Sequence, residues 1–141
     1  PTPRREVVAW GAMVERLAAH CAFTVVQPLP GEGGFFDAPQ IEQALINLVK
    51  NAHEAGSPPE GVSLQVQAQG EDWRISVADR GPGMNDAVLA QALLPFYSTK
   101  RSGTGLGLAL AREIVEAHGG RIALANRQGG GLRVSLFLPR M

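Results

Sequence analysis

Three glycines at alternate positions, Gly103, Gly105 and Gly107, stand in the segment STKRSGTGLGLALAREI (98–114). Behind them lies the basic run Thr99-Lys100-Arg101, and ahead of them a helix-forming stretch, 108–117. Alternating glycines let a backbone approach a ligand closely and turn several N–H groups toward one point. A helix start adds unpaired N–H donors and the positive end of its dipole. The chemistry this combination could do is to cradle phosphate, although the same spacing also serves plain tight turns.

Two other groups of residues could join it. Gln40, Gln43, Asn47, Asn51 and Glu54 fall on one polar stripe of a helix, with Asn47 and Asn51 one turn apart at the edge of its apolar face. An amide oxygen is a hard, neutral ligand suited to Mg²⁺, which takes a few protein oxygens and fills its remaining positions with phosphate and water. Two mid-helix asparagines cost several tenths of a kcal/mol each relative to alanine, about 0.5; they would equally serve as an exposed rim. Asp79 ends a strand and opens Asp79-Arg80-Gly81-Pro82-Gly83-Met84. Its carboxylate could accept from an exocyclic amine while Gly81 and Gly83 let a flat ring lie against the backbone. An ordinary Asx turn uses the same residues.

These groups need elements to carry them. Apolar residues at helical spacing (Val7, Trp10, Val14, Leu17, Ala18) predict a helix over 7–20, followed by a strand over 22–28 and a loop at 30–34. Asp37 is a candidate N-cap for an amphipathic helix, 39–55, whose apolar face is Ile41, Ala44, Leu45, Leu48, Ala52 and Ala55. Gly56-Ser57-Pro58-Pro59 ends it. Alternation predicts a hairpin, 62–69 with 73–78. A short helix at 84–94, a loop at 95–104 and a third long helix at 105–118 follow, then strands at 121–126 and 132–138 around Gly129-Gly130-Gly131. The order predicts an α/β two-layer sandwich, a mixed β-sheet packed on one face by about three helices.

At 141 residues the chain is expected to be one domain, 1–141. Thirteen basic and thirteen acidic residues balance, so no bulk field recruits nucleic acid or an anionic membrane. Cys21 stands alone, which excludes a disulfide framework or thiolate cluster within the chain and fits a reducing, cytoplasmic compartment. No apolar run approaches the roughly 20 residues that span a bilayer. Seventeen glycines exceed the roughly ten that average usage predicts, and eight of them lie from Gly103 to Gly131. A start at Pro1 suggests a piece of something longer.

Four motifs then occur in order: NLVKNAHEA (47–55), DRGPGM (79–84), PFYSTK (95–100) and GTGLGLALAREIVEAHGG (103–120). Together they resemble the catalytic, ATP-binding domain of bacterial sensor histidine kinases, in the superfamily shared with gyrase, MutL and heat-shock chaperone ATPases (the Bergerat-type fold). The resemblance spans essentially the whole chain. It implies Mg-ATP as ligand and transfer of the γ-phosphoryl group to a histidine on a separate dimerisation hairpin of the same kinase. A response regulator would be the downstream partner in a two-component relay.

By that resemblance Asn51 would coordinate Mg²⁺ with Asn47 in support, and Asp79 would receive the adenine amine. Gly81 and Gly83 would admit the ring, with Met84 against it. Residues 95–104 would form the ATP lid, Phe96 anchoring it and Thr99 and Lys100 facing phosphate. Gly103, Thr104, Gly105, Leu106 and Gly107 would hold the phosphate chain. Hydrolytic superfamily members carry a glutamate four residues before the metal asparagine. Here that position is Asn47, so little ATPase activity is expected. His53-Glu54-Ala55-Gly56-Ser57-Pro58 matches the H-E-x-x-x-P acceptor pattern in letters. It overlaps the asparagine helix and lacks the usual apolar-basic pair after the glutamate, so the acceptor hairpin is expected elsewhere. The isolated domain should then be a monomer without autophosphorylation. His20 and His118 read as helix-end residues, the latter complementing the dipole. Leu132 stands where the family often has threonine, and Ser135 is a candidate substitute for that polar contact. The resemblance leaves two alternatives open: an anti-sigma-type serine kinase and a non-catalytic ATP-sensing scaffold. Any membrane contact is expected only through regions of the parent outside these residues.

Overall fold

A computed structural model describes residues 2–54, 59–91 and 107–140. Its centre is a five-stranded mixed sheet in the order β2-β4-β5-β7-β6, built from β2 (Thr24–Val25), β4 (Ser63–Gln69), β5 (Asp72–Ala78), β7 (Leu132–Pro139) and β6 (Arg121–Asn126). Only the β2–β4 pairing is parallel. Period-two alternation sends Leu64, Val66, Trp73, Ile75, Val77, Val134, Leu136 and Leu138 into one buried layer. The helices α1 (Trp10–Ala18), α2 (Ala38–Glu54) and α4 (Gly107–Ala117) cover that face. The short α3 (Asp86–Gln91) buries no residue fully and meets the core through Leu89 alone among its described side chains. The expected sandwich with three covering helices is what forms.

The N-terminal region departs from expectation. Residues Glu6–Val8 are not helical: they form β1, paired antiparallel with β3 (Gly34–Phe36). Val7 fitted the helical spacing, yet it is 76% exposed; Val8 is the residue that enters the core. The predicted strand over 22–28 contracts to two residues at the sheet edge, and the loop over 30–34 ends in β3. The cause is tertiary. Phe36 packs on Trp10 (5.4 Å between rings), which stands edge-on to Trp73 (5.3 Å). This aromatic stack joins the small sheet, α1 and the large sheet, which assigns both tryptophans to the core.

Two buried polar groups fix the helices that matter for the site. Asp37 caps α2: its Oδ1 accepts from Gln40 N–H (3.2 Å) and its Oδ2 from Arg4 N–H (2.8 Å). Its own N–H donates to Nε2 of His118 (3.1 Å), whose Nδ1–H donates to the Ile114 carbonyl (2.8 Å). His118 is 1% exposed. As expected, it sits at the end of α4 and its ring meets a carbonyl of the last turn; what the sequence did not show is that its Nε2, by accepting from Asp37, ties the start of α2 to that end. His20, exposed just past α1, is a helix-end residue as expected. No described helix is long and apolar enough to cross a membrane.

Candidate functional site

The candidate site draws on α2, the start of α4 and the end of β5; α2 packs against both of the other elements. On α2, every fourth or third apolar residue (Ile41, Ala44, Leu45, Leu48, Ala52) is buried against β5 and α4. That anchors the flanking rim, where Asn47 and Asn51 are each half-buried. Gln43 Nε2 donates to Asn47 Oδ1 (3.2 Å), so the polar stripe is internally ordered. Further along, His53 Nε2–H donates to the Ala22 carbonyl (2.7 Å), tying the end of α2 to the chain before β2. The histidine that matched the acceptor pattern is therefore a structural contact.

Asp79 follows the last residue of β5 and is 4% exposed. Its Oδ1 accepts from Gly81 N–H (2.9 Å) and from Leu132 N–H (3.1 Å), while its own N–H donates to the Leu132 carbonyl (2.9 Å). Both carboxylate bonds fall on one oxygen, and among the described residues none falls on Oδ2. That is the arrangement of a carboxylate held by its neighbours with one acceptor left to present. Gly81 supplies one of the two holding N–H groups. Gly83 has φ +75°, and a Cβ there would come 2.6 Å from Asn126 Oδ1. Met84 is half-buried and packs against the core, giving the loop an apolar floor.

Residues that sequence reasoning passed over complete this end. Asn126 Oδ1 accepts from Met84 N–H (2.8 Å) and its Nδ2 donates to the Met84 carbonyl. Arg127 Nη1 donates to the Asp79 carbonyl (2.8 Å). Burial lowers the Arg127 pKa from the ordinary arginine value; Arg80 and Arg133 add repulsion and Asp79 opposes it. Gly131, at φ +104°, approaches so closely that a Cβ would overlap the Asp79 carbonyl oxygen. An asparagine at a strand end beside a triple-glycine turn was the available signal. Ser135 does not take the polar role suggested for it: three residues from Leu132, it lies on the opposite sheet face. There it pairs with Ser76 Oγ (3.0 Å) and accepts from Arg74 (3.2 Å).

Gly107 begins α4. Phe96, Thr99, Lys100, Gly103, Thr104, Gly105 and Leu106, with the expected lid at 95–104, lie outside the described residues. Among the described residues no group of three or more His, Cys, Asp or Glu could hold a metal ion. The donors on offer, the Asn47 and Asn51 amides, fit a hard cation that arrives with oxygens of its own.

This geometry meets a match over residues 36–141 to the family described as histidine kinase-, DNA gyrase B- and HSP90-like ATPase. The chain belongs to that family. Among curated relatives, the C4-dicarboxylate transport sensor protein DctS of Rhodobacter capsulatus is 45% identical over 103 residues, covering 70% of this chain and 16% of its own length. Sensor histidine kinase ZraS of Escherichia coli O157:H7 is 40% identical, covering 73% of this chain and 22% of its own length. The chain thus spans about a fifth of these relatives. Among solved structures, the nucleotide-free catalytic domain of histidine kinase ThkA superposes with a TM-score of 0.85 at 26% identity, covering 97% of this chain and 96% of its own. Full-length ShkA in complex with AMPPNP gives 0.78 at 27% identity, covering 96% and 31%. The chain is therefore an ATP-binding catalytic domain of the sensor histidine kinase kind, and these relatives lend nothing to the serine-kinase or scaffold alternatives.

Proposed function

We propose that this domain binds Mg-ATP and delivers its γ-phosphoryl group to a histidine on a helical hairpin of its parent kinase, from which a response regulator is charged. The observation that carries the nucleotide reading is Asp79: a buried carboxylate, tied through one oxygen, at the mouth of a glycine-containing loop. Its Oδ2 would accept from the adenine amine, with the ring entering over Gly81 and Gly83 onto Met84. Asn51, with Asn47 beside it, would hold Mg²⁺ through amide oxygen, and the ion would neutralise charge between the phosphates. Lys100 and Thr99 would face the phosphates, and the N–H groups of Gly103, Thr104, Gly105, Leu106 and Gly107 would cradle them, with Phe96 anchoring the lid.

In the transfer, an imidazole nitrogen of the acceptor forms a bond to the γ-phosphorus as the bond to the β,γ-bridging oxygen breaks. The electron pair leaves with ADP. The domain contributes positioning and charge neutralisation rather than a covalent intermediate. Asn47 has no basic group to activate water, which favours a protein acceptor over hydrolysis. The parent would thereby become a phosphoprotein, with this domain in the cytoplasm.

Calorimetric titration with ATP, with and without Mg²⁺, tests the reading. Saturable, magnesium-dependent binding supports it, and mixing with the parent's purified hairpin should then give an acid-labile, hydroxylamine-sensitive phosphohistidine. No binding at millimolar ATP would sink it.

A further inference from the structure

We propose that Asn126 and Arg127, at the end of β6, are positioning residues that set the preference of this site for an amino-bearing purine. The proposal rests on the reading that Asp79 meets the adenine amine. The loop 79–84 is poorly suited to hold its own shape. It forms no helix or strand, and two of its six residues are glycine. Its geometry is imposed from the neighbouring β6–β7 turn, at both ends.

At the first end, Arg127 Nη1 holds the Asp79 carbonyl (2.8 Å) while the Leu132 backbone N–H holds the Asp79 carboxylate (3.1 Å). Leu132 thus holds both the N–H and the carboxylate of Asp79, with Gly81 sharing the carboxylate, while Arg127 adds the tie on its carbonyl. At the second end, Asn126 grips both polar groups of the Met84 backbone. A side-chain amide offers one acceptor and two donors in a plane, so it reproduces what a neighbouring strand would offer at that point. Between the two ties the chain must pass close to Asn126, which is why residue 83 is glycine: any Cβ would overlap the Asn126 oxygen.

Asn126 is itself exposed, so removing its side chain opens no core cavity. What is lost is the constraint on Met84, and with it the angle at which a ring can lie between Met84 and the Asp79 carboxylate. A hydrogen bond weakens steeply as its alignment fails, whereas phosphate contacts at the other end of the ligand do not depend on that angle. Loss of the clamp should therefore appear as loss of base discrimination.

The test uses the full 141-residue chain, titrated with Mg-ATP and with the Mg complex of purine riboside triphosphate, which lacks the 6-amino group. The wild-type protein should bind ATP about tenfold more tightly. Equal binding would overturn the Asp79 reading itself, before any variant is made. Asn126→Ala and Arg127→Ala should each lower ATP affinity about fivefold and leave affinity for purine riboside triphosphate within about twofold. Arg127→Lys, which keeps a donor, should recover most of the wild-type ratio. Parallel weakening of both nucleotides, or no change in either, overturns the clamp. Amide exchange on the wild type gives a check independent of variant folding: the Met84 N–H should be protected, and exchange at the rate of an open loop would refute the proposal.

Discussion

Replacing Asp79 by asparagine changes one atom's chemistry and leaves shape almost intact, so its effect can be worked out in advance. In the native arrangement Oδ1 receives two N–H bonds, from Gly81 at 2.9 Å and Leu132 at 3.1 Å. The asparagine amide has two orientations. With its oxygen at the Oδ1 position both bonds survive, and the NH₂ replaces Oδ2. With the orientation reversed, the NH₂ faces two N–H donors at a site 4% exposed, leaving them unsatisfied. Each such group costs about 1–3 kcal/mol, so the first orientation prevails and the fold persists. A donor then faces the adenine amine, itself a donor. Losing a hydrogen bond to a charged group costs about 1.5–3 kcal/mol, which is about ten- to 150-fold in affinity. Calorimetry should show that loss for ATP with no matching fall in affinity for inorganic tripolyphosphate, and the thermal midpoint should stay close to wild type. Unchanged ATP affinity in a folded Asp79→Asn protein would refute the reasoning.

Three further outcomes are expected. Phosphate release from ATP by the domain alone should be near background; brisk turnover abolished by Asn51→Ala would show that Asn47 does not leave water unactivated. His118→Ala removes a buried ring that bonds both Asp37 N–H and the Ile114 carbonyl, and should destabilise the fold by about 2–4 kcal/mol in urea unfolding; a loss below about 1 kcal/mol would mean that α2 and α4 do not depend on this tie. Burial raises the Cys21 thiol pKa above its ordinary value, with Lys50 only partly opposing it. Alkylation by iodoacetamide at pH 8 should therefore be slower than for a small free thiol and should accelerate as pH rises; a rate matching the free thiol would contradict this.

The parts of the fold legible in the sequence are those where burial alone decides conformation. The 62–69 and 73–78 alternation, the α2 face from Ile41 to Ala52, and the Asp37 cap all fell within a residue or two of where they form. The parts that were not legible depend on partners distant in sequence. Val7 and Val8 are indistinguishable in type, and only pairing with Gly34–Phe36 decides which is buried. A lone histidine before Gly119-Gly120 reads as a helix end; that its Nε2 accepts from Asp37, 81 residues away, is a tertiary fact. Of the proposed site residues, Asn47, Asn51, Asp79, Gly81 and Gly83 stood out as candidates by type and spacing, and Met84 only through the family resemblance. Asn126 and Arg127 did not, because what they hold is backbone, and backbone leaves no mark on composition.

That asymmetry bears on how the site divides its work. Asp79 is bound through backbone to Leu132, through its carboxylate to Gly81 and Leu132, and through its carbonyl to Arg127 before any ligand arrives. A group held in this way loses little further freedom on binding, so the free energy of its contact is retained as affinity and discrimination. The asparagines of α2 offer only neutral oxygen, and a neutral oxygen cannot compensate the charge of a triphosphate. On the proposed reading the base end would decide which nucleotide is held, while charge compensation at the phosphate end would come from a cation and basic side chains. With selection and transfer on separate groups, a substitution at Asp79 or Asn126 should weaken nucleotide binding while sparing the rate of phosphoryl transfer at saturation. Substitution at Asn51 should weaken Mg-ATP binding and lower that rate together, in proportion to how much of the metal's placement it carries.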